Sequence, residues 1–279
     1  QTALVVPTGP GDTLETGGLF FFSASAAARD RVWIASPYCV PDTDILTALK
    51  HAALAGRDVR LLVPEIIDHY IPWLAAFAYF DELREAGVET IACDFLEAGQ
   101  VDDLVASVRS RYASLRALIH NASAWMPDDA GPAPAEVMDR MMRVHVTAPY
   151  QLNLGLAPLL ESCSEPHADI IHIGDYVSSR GSRKHVAYAA SKAAQDNLTH
   201  SFAARLAPKV KVNSIAPALV MFNEHDDEQY RERAVEKNLM RRAGGADEFL
   251  RAVDYLLAST FVTGRVLPMD GGRHLQQRC

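Results

Sequence analysis

The sequence predicts an α/β fold built on a doubly wound, mostly parallel sheet. Three observations carry that reading. Seven runs rich in β-branched and aromatic residues alternate with runs of helical apolar spacing. Several of the β-rich runs are almost continuously apolar, as strands covered on both faces are. Polar residues suited to chemistry follow directly after four of these runs, so a parallel arrangement would gather them at one sheet edge.

The elements follow in order. RVWIAS (31–36) reads as a strand, and Asp42–Ala55 as a helix with apolar residues at Ile45, Leu46, Leu49 and Ala53. DVRLLV (58–63) is a strand, Asp68–Ala86 a helix closed by Gly87 as a C-terminal cap, and VETIA (88–92) a strand. Val101–Tyr112 is helical, RALIH (116–120) a strand, Glu136–Leu160 a long helix, and ADIIHIG (168–174) a strand. Tyr188–Leu206 is helical and VKVNSI (210–215) a strand. Two helices, Asp227–Leu239 and Asp247–Ala258, lead into the last strand, RVLPMD (265–270).

The chain has 279 residues and a net charge of −8. Residues 1–92 carry 6 Lys+Arg against 12 Asp+Glu, a net of −6. That balance argues against a nucleic-acid partner and against charge-driven adhesion to anionic membranes. No apolar run reaches the length of a membrane span. The cysteines, Cys39, Cys93, Cys163 and Cys279, have neither metal-ligand spacing nor a disulfide pattern, which suits a reducing cytoplasm.

The segment DYVSSRGSRKHVAYAASK (175–192) carries the chemistry. Tyr188 and Lys192 stand four apart, so a helix puts both on one face. A nearby ammonium favours phenolate and would lower a phenol pKa of about 10 toward neutrality. Asp175 follows the strand IIHIG, Asn121 follows RALIH, and Ala216–Pro217 follows VKVNSI. MDGGRH (269–274) follows the last strand.

Residues 88–279 resemble the short-chain dehydrogenase/reductases, and within them the pteridine-reducing, dihydromonapterin-reductase-type branch. The matching stretches are ACDF (92–95), LIHNASAW (118–125), DYV…YAASK (175–192), VKVNSIAPAL (210–219), FNEHDDEQYR (222–231) and FVTGRVLPMDGGRH (261–274). The resemblance implies a Rossmann-like fold and NADPH-dependent reduction of a dihydropterin. It implies Tyr188, Lys192 and Asp175 as the catalytic set. Many family members place a Ser thirteen residues before the Tyr, and the pteridine reducers place an Asp, here Asp175. A carboxylate can accept from the ring N–H and amino donors of a pterin, whereas a ketone gains little from one. The resemblance further assigns Asp94, Asn121, Ala122 and Pro217, with Tyr188 and Lys192, to the cofactor, and Asp175 and Trp125 to the substrate. Ala218 replaces a family glycine. His145 stands where the broader family has an Asn, as either a proton relay or a satisfied helix histidine. No metal is implied, and a homo-oligomer assembled through the 136–160 and Tyr–Lys helices is.

The family's glycine-rich phosphate loop is missing from its place. No glycine occurs from Ala35 to Ala55, and Pro37 and Pro41 remove backbone donors where an anion cradle needs them. The glycines of PTGPGDTLETGG (7–18) have the wrong spacing for that loop. Residues 5–87 instead resemble part of a cardiolipin-synthase-type phospholipase D. That family acts through His-x-Lys motifs, and no His-x-Lys occurs in the chain. The expected organisation is therefore a phospholipase D-like fragment at 1–87, replacing the first β-α-β, joined to a reductase domain at 88–279. The other readings are a non-catalytic chimera and a phosphatidyl transferase.

Overall fold

The computed structural model describes residues 31–35, 43–54, 58–62, 89–129, 133–222 and 226–276. The expected helix Asp68–Ala86 with its Gly87 cap, Pro37, Pro41 and the 7–18 segment lie outside them. The strands are β1 (Arg31–Ala35), β2 (Asp58–Leu62), β3 (Glu89–Thr90), β4 (Ala117–His120), β5 (Ala168–Ile173), β6 (Val210–Pro217) and β7 (Val266–Met269). The helices are α1 (Thr43–Leu54), α2 (Ala98–Arg111), α3 (Pro134–Met142), α4 (Ala148–Glu161), α5 (Val186–Leu206), α6 (Glu228–Val235) and α7 (Ala246–Ala258).

Among the described residues every strand pairing is parallel, as the alternation predicts. The strands form two hydrogen-bonded groups rather than one: β1-β2-β3 and β4-β5-β6-β7. Among the described residues, no ladder joins the two. The order β3-β2-β1 followed by β4-β5-β6-β7 is nevertheless the sequence of a doubly wound sheet whose topology reverses between β1 and β4. β3 is also shorter than VETIA suggests, pairing only Glu89 and Thr90.

The second sheet shows why its strands read as apolar runs. Ile170 and Ile171 are adjacent in β5 and fully buried on opposite faces. Ile170 and Val212 pack with Leu152, Leu156 and Leu160 of α4 and Phe202 and Leu206 of α5. Ile119, Ile171 and Ile215 pack with Phe249, Val253, Leu256 and Leu257 of α7. Both faces are covered, so a slip of one residue would bury the wrong set. Gly155 lets α4 lie against α2: a Cβ there would stand 2.4 Å from Val105 Cγ1.

The expected single helix 136–160 is interrupted. Arg143–Thr147 forms a π-helical turn between α3 and α4. Pro149 at the start of α4 lacks the N–H that a regular α-helical turn would use, and the wider turn accommodates that loss.

Buried polar groups fix the strand register at the amino end of the sheet. Asp169 of β5 lies opposite Lys211 of β6. Its carboxylate is 2.5 Å from the Arg116 guanidinium and 2.9 Å from the Lys211 ammonium. The two cations also reach the C-terminal carbonyls of α7: Arg116 donates to Leu257 O at 3.3 Å and Lys211 to Leu256 O at 2.7 Å. Those carbonyls form the negative pole of the helix, so the cluster staples α7 to the sheet. Replacing Asp169 with Ala leaves two buried cations without their carboxylate. Urea denaturation should show a loss of about 3–5 kcal/mol, with unchanged turnover per folded molecule because the cluster lies far from the carboxyl edge.

Candidate active site

Parallel strands bring their carboxyl ends to one edge, and the site is assembled there. β5 ends at Ile173, and Gly174 follows. A Cβ on Gly174 would stand 2.8 Å from Ser214 Oγ, so the backbone passes tightly against β6 before Asp175. The Asp175 carboxylate caps its own turn, its Oδ1 accepting from Val177 N at 2.8 Å. Its Oδ2 accepts from the Tyr188 hydroxyl at 2.8 Å. Tyr188 and Lys192 lie on the buried face of α5. Lys192 Nζ donates to Ile173 O at 2.8 Å and to Gln195 Oε1 at 3.4 Å. An ammonium has three donors, and a third remains beyond these two contacts. The Gln195 side-chain nitrogen, also buried, has no hydrogen-bond partner among the described residues.

The electrostatics differ from the expectation that Lys192 lowers the phenol pKa. Burial pushes Tyr188 well above its ordinary value, and the Asp175 charge and hydrogen bond push the same way. A hydrogen bond with Ser123 works against them. The ammonium is 5.8 Å from the ring centroid and is engaged elsewhere. Tyr188 is therefore held as a neutral phenol donating to a carboxylate. Burial raises Asp175, while bonds from Val177 and Tyr188 and the charges of Lys192 and Arg273 oppose the rise. Burial lowers Lys192 to about 8 against the pull of Asp175 and Asp196.

His145 stands in the π-helical turn, and the geometry decides its form. Its Nε2 accepts from Ala124 N at 3.1 Å and lies 3.0 Å from Ser123 Oγ. The remaining proton is then on Nδ1, which faces Ser191 Oγ at 2.8 Å. Ser191 Oγ in turn donates to Tyr188 O at 2.7 Å. Burial first, and the Lys192 charge second, hold His145 well below the ordinary imidazole range. It is a neutral brace between the segment after β4 and the Tyr188 helix.

A second buried network lies under Lys192. His120 Nε2 meets Asn153 Oδ1 at 2.7 Å, Asn153 Nδ2 meets His172 Nε2 at 3.2 Å, and His172 Nδ1 meets Thr199 Oγ1 at 2.8 Å. With Asn153 so oriented, each ring carries one proton. Burial lowers His120 to about 4 and His172 well below its ordinary value.

Trp125 joins the site. Its ring lies tilted against His185, centroids 4.0 Å apart, and meets Tyr188 edge-on at 4.6 Å, while 52% of the residue stays exposed. Asn121 and Ala122 follow β4, and Pro217 ends β6, at the same edge. Asp94 follows β3 and is buried, with Oδ1 accepting from Leu96 N at 2.9 Å. Sequence reasoning missed His185, Ser123, Ser191 and Gln195, whose parts depend on contacts across elements. Among the described residues, no group of three His, Cys, Asp or Glu could hold a metal ion, and no helix is long and apolar enough to cross a membrane.

A doubly wound sheet with a Tyr–Lys helix at its carboxyl edge defines a nucleotide-dependent reductase of the Tyr–Lys class. The family profile described as Enoyl-(Acyl carrier protein) reductase matches residues 76–274, and the chain belongs to the short-chain dehydrogenase/reductase family. It is similar to the dihydromonapterin reductases of Escherichia coli O6:K15:H31 (strain 536 / UPEC) and Shigella boydii serotype 4 (strain Sb227). Each is 49% identical over 224 residues, 80% of this chain and 92% of the relative. Among solved structures, it is similar to FolM Alternative dihydrofolate reductase 1 from Brucella canis complexed with NADP. That likeness has a TM-score of 0.68 at 26% identity and covers 92% of this chain and 98% of that one. Residues 23–104 match a second profile, the PLD-like domain of cardiolipin synthase. The two profile matches overlap over 76–104. The 224-residue likeness is also longer than the 88–279 segment, so it reaches upstream of residue 88.

The buried histidines make stability pH-dependent. His120, His145 and His172 are depressed in the fold relative to about 6.5 in the unfolded chain. As pH falls below that value, the unfolded chain takes up protons that the native state refuses, so stability falls. Each histidine should cost up to about 2 kcal/mol between pH 6.5 and 5, partly offset by carboxylates raised in the fold. Denaturant titrations at both pH values check this. A folded His120→Gln variant should show a slope reduced by one proton.

Proposed function

We infer that the chain is an NADPH-dependent reductase of a dihydropterin. The observation that carries the reading is the Tyr188 hydroxyl donating to the Asp175 carboxylate at 2.8 Å, beside the half-exposed Trp125 ring. The names of the 49% identical relatives and the NADP complex of the Brucella canis protein support it.

Bound NADPH would supply the hydride for the carbon of the pterin ring C=N bond, being oxidised to NADP⁺. Tyr188 supplies the proton to the ring nitrogen, and solvent restores it. Asp175 accepts from the pterin N–H and amino donors and orients the ring. Its carboxylate also keeps the phenol protonated until the nitrogen gains basicity. Trp125 offers a flat face to the substrate. Lys192 would hold the nicotinamide ribose through its remaining donor. Asp94, Asn121, Ala122 and Pro217 would hold the rest of the cofactor. We also place the chain in the cytoplasm, as a homo-oligomer formed through the α3–α4 and α5 helices.

The N-terminal match favours phosphatidyl transfer as a second reading, but the absence of any His-x-Lys removes its nucleophile. A third reading is a chimera joined near residue 87, with reductase motifs that do no work. NADPH turnover separates the three.

Tyr188→Phe should lower kcat by about 10²–10⁴-fold with NADPH binding kept, measured by loss of nicotinamide absorbance with a dihydropterin. In the unaltered chain, the alkaline limb of kcat/KM should fall near pH 8, where Lys192 loses its proton. Without the glycine-rich turn opening a helix, NADPH should bind about tenfold or more weakly than to the E. coli relative in a fluorescence titration.

A further inference from the structure

The α5 helix begins at Val186, and its N-cap residue, His185, makes no side-chain cap. The first amides of a helix need acceptors. Here they are supplied from 58 residues away in sequence. Asp128 Oδ2 accepts from Val186 N at 2.6 Å, and Oδ1 accepts from Ala187 N at 3.1 Å. Asp128 N donates to Lys184 O at 3.0 Å, so the backbone of the same residue is tied to the approach to the helix. The two amides hold the Asp128 carboxyl below its ordinary value.

Trp125 lies three residues before Asp128. The upstream end of this segment is fixed by His145, through Ser123 and Ala124. The downstream end is fixed by Asp128. Between these two anchors the Trp125 ring rests on His185 and against the edge of Tyr188. The segment and the first turn of α5 thus share one joint, and Asp128 makes its hydrogen bonds.

We propose that Asp128 is a positioning residue that sets the affinity for the flat heteroaromatic substrate by holding Trp125 in register with Tyr188. This rests on the reading of Trp125 as the pterin platform. Asp128 itself touches neither substrate nor cofactor in this account. Its carboxylate acts through the ring it locates.

The test uses the full chain with Asp128→Ala, Asp128→Asn, Trp125→Ala and the Asp128→Ala/Trp125→Ala pair. Amide exchange by mass spectrometry should quicken over 123–129 and 185–188 in Asp128→Ala, and less in Asp128→Asn, which keeps one acceptor oxygen. KM for a dihydropterin should rise about tenfold in Asp128→Ala, the scale of one aromatic contact, with kcat and NADPH affinity little changed. In the Trp125→Ala background, Asp128→Ala should add nothing further to KM. An equal KM increase in that background would overturn the proposal, because Asp128 would then act by another route. A fall in thermal stability with KM unchanged would overturn it too, leaving Asp128 as a helix cap alone. If the unaltered chain turns over no dihydropterin, the functional reading has failed instead. The exchange comparison then still decides the joint, and unchanged exchange over 123–129 sinks it.

Discussion

A buried ammonium governs the catalytic half of this protein. Lys192 is 2% exposed, and its charge acts on His145, His172, Asp175 and Asp196. A cation taken out of water must be met by acceptors and carboxylates, or give up its proton. Ile173 O and Gln195 supply the acceptors, and Asp175 and Asp196 supply the negative charge. The same cation adds to burial in keeping His145 and His172 neutral. Neutral histidines can then serve as fixed-tautomer braces. The networks on both sides of α5 are thus arranged around one charge. Asp175 both offsets the Lys192 charge and accepts the hydrogen bond of the Tyr188 hydroxyl.

The Tyr–Lys spacing and the place of Asp175 were legible because they rest on local periodicity and on strand ends. The sign of the phenol shift was not. A four-residue spacing shows that an ammonium can approach a phenol, but not which acceptor the ammonium prefers. Here it turns to a backbone carbonyl and to Gln195, leaving burial and Asp175 to decide the phenol. Trp125 reads equally as core or platform in sequence, and its half-exposure beside His185 and Tyr188 comes from contacts across elements that no local pattern encodes. The π-helical turn that aims His145 inward has no periodic signature, because a single widened turn leaves the surrounding apolar spacing helical. Asp128 was illegible for a related reason: a cap normally sits next to its helix, and this one is donated by a distant loop.

The N-terminal third poses a different physical question, which the strand order helps to answer. Parallel pairing uses backbone groups and is largely indifferent to side-chain identity. A β-α-β unit of any ancestry can therefore occupy the same rank, and β1 and β2 pair with β3 in the order a doubly wound sheet requires. The two profile matches overlap over 76–104, a range that includes β3. Core packing demands more, and Leu49, Ala52 and Val59 are buried, so the segment contributes some apolar surface. Phosphate binding demands most. It needs donors free of side chains at a helix start, and the sequence after β1 brings Pro37 and Pro41 in place of glycines. Scaffold and anion site therefore part company here: backbone topology is transferable between families, whereas the pyrophosphate cradle is written in particular residues. The carboxyl edge built from β4 to β7 and α5 draws its described Tyr188, Asp175 and Lys192 contacts from within those elements and the segments that follow them.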